Sequence, residues 1–334
     1  MKVAVIGVGH LGKIHARIYK QIPGVELIAV ADIDPAKAKT AAESFSTKPI
    51  QNYQELLGKV DAVSIASITE AHYSIAKDFL QSGTHVLVEK PLTKNVDQAR
   101  ELVEIAQKKN LKLQVGHSER FNPIVIELFK KNYTPLYIEA QRCSPYRFRS
   151  GDIGVVLDLM VHDIDIICAL AKSKVKKIEA IGSCVIGPKE DIANARILFE
   201  SGCVANISAS RVAFTACRTA KIFTADSYVE LDYAKSEGKV YTMPSTWKNV
   251  NLQAGIPQEF TGMNFEEIFY SKILQTENIA IVKNEPLAME IQSFLASIRD
   301  NTTPVVSGEQ GMEVVSVAQE IMSQIQKHQS QYCR

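Results

Sequence analysis

The sequence predicts two domains: an α/β domain with a doubly wound parallel sheet, then an α+β domain with a large, mostly antiparallel open sheet. Three observations predict this. Short apolar runs alternate with helical stretches as far as residue 115, the pattern of parallel strands joined by right-handed crossovers. A glycine-rich turn follows the first of those runs at once. Beyond residue 119 the texture changes to long strand-like segments separated by tight turns. The expected division is residues 1–119 and 120–334, with the C-terminal helix able to pack back on the first domain.

Lys2-Val3-Ala4-Val5-Ile6 has no polar alternation, as expected for a central strand buried on both faces. Gly7-Val8-Gly9-His10-Leu11-Gly12 follows, then a helix from Lys13 to Tyr19. Gly7 suits a tight turn, Gly9 lets backbone approach a pyrophosphate, and Gly12 lets the helix pack closely on the strand. The next strand, Val25 to Ala31, ends at Asp32, twenty positions after Gly12. A carboxylate there accepts hydrogen bonds from ribose hydroxyls and repels a 2′-phosphate, which favours NAD over NADP. Asp32 is also a possible helix cap, but Asp34, just before Pro35, fits that role better.

Alternation continues through a helix at 36–45, a short one at 53–57, a strand at 62–66 and a helix at 72–81. The loop Ser67 to His72 falls at the carboxyl edge of the sheet, where it would cover the nicotinamide half. Val86-Leu87-Val88 is the next strand and ends abruptly in Glu89-Lys90-Pro91. Proline restricts Lys90 to an extended conformation at the edge where open α/β sheets bind ligands. Taken alone, the same stretch also fits a solvated lysine at a strand end. A helix at 96–108 and a strand at 111–115 close the unit.

The second half offers a helix at 119–131, interrupted near Pro123, and strands at 136–143, 178–186, 193–199, 204–210 and 219–226. Gly202 marks a hairpin between the third and fourth of these strands. An open sheet this large needs a cover, and a homodimer or homotetramer through it is the simplest one. Helices are expected at 286–298 and 311–326, the second with a core stripe of Met312, Val315, Ala318, Met322 and Ile325. One segment breaks the strand pattern. Asp158 and His162, four apart, share one face of a predicted helix, with Asp165 three further on. A surface pair is the bland account, but the flanks 155–157 and 166–170 are strongly apolar, so these charges need a polar cavity or partners. Histidine is also the side chain best matched to proton removal near neutrality.

Composition bounds the function. Hydrophobic residues make up 46% and charged ones 22%, so the chain has ample core and is not a disordered one. A formal charge of +1 gives no electrostatic case for nucleic acid or an anionic membrane surface. The six cysteines contain no Cys-x-x-Cys pair, so neither a disulfide framework nor a metal site is expected, and a reducing cytoplasm is. The chain opens directly on a strand, with no expected signal peptide, and no apolar run approaches the roughly 18 residues of a membrane span.

Gly7-x-Gly9-x-x-Gly12-x-x-His15, Asp32, Glu89-Lys90-Pro91 and Asp158-x-x-x-His162-x-x-Asp165, in this order, resemble the Gfo/Idh/MocA family of oxidoreductases. The resemblance extends to the closing Glu285-Pro286-Leu287 and Phe294. It implies a Rossmann domain followed by an open-sheet domain, assembly through that sheet, and oxidation of sugar or cyclitol hydroxyls. Gln114 to Pro123 and Asp158 to Asp163 are similar to one branch, whose members oxidise UDP-N-acetylglucosamine to a 3-keto form for lipid A synthesis. One departure is the Ser67–His72 loop, where many relatives carry Thr-Pro.

The resemblance implies NAD-dependent oxidation of a nucleotide-sugar hydroxyl, with Lys90, His162 and Asp158 as catalytic residues. Gly7, Gly9, His10, Leu11, Gly12, Asp32, Ser67, His72, Glu89 and Lys90 are the cofactor candidates. Arg120, Tyr146, Arg147, Arg149, Asp158 and His162 are the substrate candidates, the arginines because their fork matches phosphate oxygens. A solvated loop accounts for Arg147 and Arg149 equally well, and Arg211 stands behind them as a further cation. Two other readings keep the fold: an NAD-using glycosidase and a non-catalytic NAD or metabolite sensor. The intact Lys90, Asp158 and His162 argue against the sensor.

Overall fold

Alternate residues of the first strands enter different cores, and this sorts the helices onto two faces of one sheet. In the computed structural model, residues 1–146, 153–244, 262, 264, 267, 269 and 273–332 are described. β1 (Lys2–Ile6), β2 (Glu26–Ala31), β3 (Lys48–Ile50), β4 (Ala62–Ile65), β5 (His85–Glu89) and β6 (Leu113–Gly116) form a parallel sheet in the order β3-β2-β1-β4-β5-β6. Val3, Val5, Val30 and Leu87 pack with α1 (His10–Gln21) and α2 (Pro35–Phe45). Ala4, Ile6, Val63, Val86 and Val88 pack instead with α3 (Thr69–Gln81) and α4 (Val96–Lys108). Asp34 caps α2, its Oδ1 accepting from the N–H groups of Ala36 and Lys37, so Asp32 is released for another role.

The chain divides into two compact units. The first holds residues 1–122, 164–169 and 284–323, and the second holds 123–163, 170–283 and 324–334. A single cut after residue 119 therefore does not describe the first unit. α7 (Pro286–Arg299) belongs to it, placing Ile291, Phe294 and Leu295 in the α1/α2 core. Most of α8 (Gly308–Tyr332) belongs to it as well.

The second unit is built on eight strands: β7 (Tyr137–Cys143), β8 (Val175–Ser183), β9 (Ile192–Phe199), β10 (Val204–Ser210), β11 (Cys217–Phe223), β12 (Ser227–Asp232), β13 (Glu237–Thr242) and β14 (Gln275–Asn278). Their order is β14-β13-β12-β11-β7-β10-β9-β8, antiparallel except for the parallel pair β7 and β10. Gly202, with φ +88°, makes the tight turn of the β9–β10 hairpin. β12, β13 and β14 are absent from the expected strand set. β12 does alternate, with Val229 and Leu231 buried, but its apolar run is short; β13 buries Val240 alone and β14 is exposed throughout, so period-two hydrophobicity is weak or absent in those two. The expected helix at 119–131 is a 3₁₀ turn (Ser118–Phe121) followed by α5 (Pro123–Lys130), because proline cannot donate the bond that would continue the first into the second. Among the described residues, no helix is long and apolar enough to cross a membrane.

One buried ion pair anchors an edge of this unit. Asp191, fully buried, accepts from Arg211 Nε at 2.7 Å and from the backbone N–H groups of Val185, Ile186 and Gly187 at 2.7, 2.7 and 3.2 Å. Burial alone would raise its carboxyl, but these four donors outweigh it and lower the carboxyl to about 2. A depressed acid contributes stability that is complete above its unfolded value of 3.8 and is lost as pH falls through about 2. Asp191→Asn is therefore expected to cost about 2 kcal/mol at neutral pH and to flatten the loss of stability between pH 4 and 2. Urea melts at stepped pH check this, and parallel slopes in the two proteins would refute it.

Candidate active site

In the first unit the strand order reverses between β1 and β4, and the glycine turn lies there. Gly7 has φ +87°, and a Cβ on it would lie 2.7 Å from the Ser67 nitrogen and 2.8 Å from the Ala66 carbonyl. A Cβ on Gly12 would lie 1.9 Å from the Gly7 oxygen. Around Gly9 the corresponding space is open, with nothing within 4 Å. Two glycines thus allow close packing, while the third keeps backbone accessible beside the amino terminus of α1, as a dinucleotide pyrophosphate requires. His10 and Leu11, the first residues of α1, are exposed. Asp32 turns toward the same turn: its Oδ2 accepts from Val8 N at 2.9 Å and its Oδ1 from Asp34 N at 3.0 Å. Each oxygen keeps a lone pair for a ribose hydroxyl. These residues fit NAD.

At the end of β5, Glu89 is buried and Lys90 half-buried, and the Lys90–Pro91 peptide is cis. Glu89 Oε1 meets His15 Nε2 at 3.0 Å, and its Oε2 accepts from Lys90 N at 3.3 Å. Burial acts to raise the Glu89 carboxyl, but the His15 imidazole and the Lys90 ammonium outweigh it and hold the group below the usual carboxylate range. Glu89 and Gly116 are register partners, and a Cβ on Gly116 would lie 3.0 Å from Glu89 Oε2. The glycine leaves room for the carboxylate.

His72 corrects an expectation. Helix α3 begins at Thr69 rather than at residue 72, so His72 sits in its first turn, fully buried. Its Nδ1 lies 2.8 Å from the Pro91 carbonyl oxygen and its Nε2 lies 3.1 Å from that of Ser67. Burial pulls the imidazole below its usual range, against these two carbonyls. Both nitrogens face backbone carbonyl oxygens, and the neutral imidazole donates to one of them, so His72 braces the loops after β4 and β5 rather than offering itself to a cofactor. Ser67 remains half-buried beside Gly7.

Arg120 is a second correction. Expected as a diphosphate ligand, it is buried in the first unit, its Nε 2.8 Å from Asp165 Oδ2 and its NH2 donating to Oδ1 at 3.1 Å. This guanidinium is already taken by a carboxylate. Asp165, three residues past His162, therefore belongs to that pair.

In the second unit, Val156–Met160 form one π-helical turn that runs into α6 (Val161–Ala171), where a regular helix was expected. A π turn re-aims the residues it carries and recurs at functional sites. Asp158 lies in the turn and His162 just after it, both half-buried. Gly154 precedes the turn, and a Cβ there would overlap the Glu190 carboxylate, which accepts from Val156 N at 3.4 Å. Asp163 anchors the start of α6 through a buried two-bond pair with Arg142 of β7, at 2.8 and 2.9 Å. Arg211, paired with Asp191, lies 5.6 Å from the Tyr146 ring centroid, so it too is a structural cation. Arg147 and Arg149 lie outside the described residues.

Residues 1–117 match the description "Oxidoreductase family, NAD-binding Rossmann fold", and residues 135–227 match the GFO/IDH/MocA C-terminal domain. A UDP-N-acetylglucosamine 3-dehydrogenase from Acidithiobacillus ferrooxidans is 32% identical over 322 residues, covering 96% of each chain. The chain belongs to the Gfo/Idh/MocA oxidoreductase family. A solved structure of the A. ferrooxidans enzyme GnnA covers 98% of both chains at 30% identity with a TM-score of 0.86. The scyllo-inositol 2-dehydrogenase (NAD(+)) of Bacillus subtilis is 23% identical over 92% of this chain. As a Gfo/Idh/MocA member the chain is an NAD-dependent dehydrogenase.

Several buried contacts near the candidate site of this Gfo/Idh/MocA chain had no assigned role at the level of sequence. His15 was legible as part of the glycine motif, since Gly12, His15, Ala16 and Tyr19 share the buried face of α1. Glu89 was a cofactor candidate, but its pairing with His15 was not legible, because the two lie 74 residues apart. His117, Gln114 and Glu290, all buried, carried no spacing signal.

Proposed function

We propose that this chain oxidises a secondary hydroxyl of a nucleotide sugar, UDP-N-acetylglucosamine at carbon 3, to a ketone. The observation that carries the reading is the full-length likeness, 32% over 96% of both chains, to an enzyme of that name. NAD supplies the hydride acceptor, and Gly7, Gly9, Gly12 and Asp32 are the residues that would hold it. His162 removes the hydroxyl proton as a general base. Lys90 donates a hydrogen bond to the same oxygen and stabilises the negative charge it develops, a contribution of about 3 kcal/mol in a desolvated site. Asp158 orients His162 or the sugar. Tyr146, Arg147 and Arg149 are our candidates for the diphosphate, and lipid A amino-sugar synthesis in the cytoplasm is the setting that this substrate implies.

The same reading includes a homo-oligomer assembled through the second sheet. Tyr137, Phe223, Tyr228 and Tyr241 are successive register partners on the face that carries the exposed residues of that sheet. Their rings follow one another at 5.9, 4.8 and 5.4 Å. An aromatic row on an otherwise polar sheet is the composition of a contact surface.

Incubation with NAD and a panel of UDP-sugars tests the substrate. NADH absorbance and a product two mass units lighter are expected with UDP-N-acetylglucosamine, with 2-oxoglutarate added in a parallel arm to reoxidise cofactor held in place. Oxidation of a different sugar, with UDP-N-acetylglucosamine inert in both arms, would overturn the assignment.

A further inference from the structure

Glu290 is the least compensated group in the first unit. It projects from α7, is fully buried, and neither of its carboxyl oxygens has a hydrogen-bond partner. Ligand-type atoms of Glu290, Glu89 and His15 all lie within 4.8 Å of one another. Gln114, also fully buried, donates to the backbone oxygen of Glu290 at 3.0 Å and so fixes this turn of α7 against β6. The hydroxyl of Tyr19, paired with Ser64 at 2.7 Å, and the carboxylate of Asp165, paired with Arg120, are the other ionisable groups that act on Glu290.

Two carboxylates this close, both out of water, cannot both be charged without a compensating cation for each. Their surroundings differ. Glu89 has an imidazole nitrogen on one oxygen and a backbone N–H on the other. Glu290 has no donor at all. We propose that Glu290 is a permanently protonated carboxylic acid that leaves Glu89 as the single anion of the pair, and is thereby a positioning residue for Lys90. Burial raises the Glu290 carboxyl well above its usual range, and the charges of Glu89 and Asp165 push it the same way. The Glu89 carboxylate then holds His15 on one side and the backbone of Lys90 on the other, so the lysine starts from one fixed point.

The cluster is also a donor set that a divalent cation could occupy, and the proton is the better occupant. The imidazole nitrogen nearest the carboxylates already meets Glu89, and a protonated Glu290 removes the excess charge without one.

Infrared spectroscopy of the purified full-length protein tests the proton directly. A protonated-carboxylic-acid carbonyl band, shifted by D2O, is expected in wild type at neutral pH and is lost in Glu290→Gln. Metal analysis on the same sample is expected to find less than stoichiometric metal. The kinetic consequence rests on the role proposed for Lys90: Glu290→Gln, which is neutral at every pH and close to the acid in size, should keep kcat and its pH profile within a few-fold of wild type. Absence of the acid band in wild type, its survival in Glu290→Gln, one bound metal per chain, or a large loss of kcat in folded Glu290→Gln would each overturn the proposal. The infrared and metal measurements need no substrate, so a failure of the sugar assignment leaves them standing.

Discussion

Lys90→Ala and His162→Ala are each expected to lower turnover by about 10²- to 10⁴-fold while leaving NAD affinity within a few-fold of wild type. The two losses have different origins. Without His162 the hydroxyl proton has no acceptor, and general-base removal costs that range of rate. Without Lys90 the oxygen keeps its proton acceptor but loses the donor that stabilises its developing charge. Both effects should fall on kcat and on kcat/KM alike, because neither contact is fully made in the ground state. NAD affinity should hold because, although Lys90 is itself a cofactor candidate, the pyrophosphate and ribose contacts are expected in the glycine turn and at Asp32, whose oxygens are fixed by Val8 and Asp34 backbone. Cofactor titration by protein fluorescence and initial rates on the identified sugar make the measurement. Near-normal turnover in folded Lys90→Ala would remove the lysine from the mechanism.

Adding a single methyl to the glycine turn separates its roles. In Gly12→Ala the new Cβ falls 1.9 Å from a backbone oxygen, which no rotamer can relieve, so the turn or α1 must move. We expect about 3 kcal/mol of lost stability together with weaker NAD binding. Gly9→Ala meets nothing within 4 Å, so the unliganded protein should melt at its normal temperature. The methyl nevertheless enters the space that backbone and pyrophosphate need, and NAD affinity should drop about 100-fold, close to 2.7 kcal/mol. Thermal melts with and without NAD distinguish the two. A normal NAD-induced shift in Gly9→Ala would move the pyrophosphate away from this turn.

Most of the first sheet was legible because its strands are short, mainly apolar and punctuated by glycine and proline; β3, the three residues Lys48–Ile50, was missed because it is too short to show a pattern. Expected and observed limits agree for α4 and differ by three residues for α3, which starts at Thr69. The second sheet was legible where apolar residues alternate, as in β9 and β10. It was not where strands are held mainly by backbone pairing, as in β14, whose Gln275–Asn278 has no buried side chain. In the candidate site, local motifs could be read and long-range pairings could not. The glycine turn, Asp32, and the Asp158–His162 spacing are written within a few residues. Arg120 with Asp165, and His15 with Glu89, join positions 45 and 74 residues apart, and no pattern in one sequence ties them together. The π turn at Val156–Met160 was invisible for a different reason, since its extra residue per turn leaves the apolar composition unchanged.

The discontinuous first unit has a consequence for how this chain is made. When the ribosome has released β1 through β6, the face formed by α1 and α2 still lacks Ile291, Phe294 and Leu295, which arrive with α7. An apolar surface on the nascent sheet therefore waits through the synthesis of well over a hundred further residues, including the whole eight-stranded sheet. Final closure of the nucleotide-binding half is thus among the last events of biogenesis, although its strands are among the first to emerge. During that interval the unfinished face is the natural place for a holding chaperone to bind.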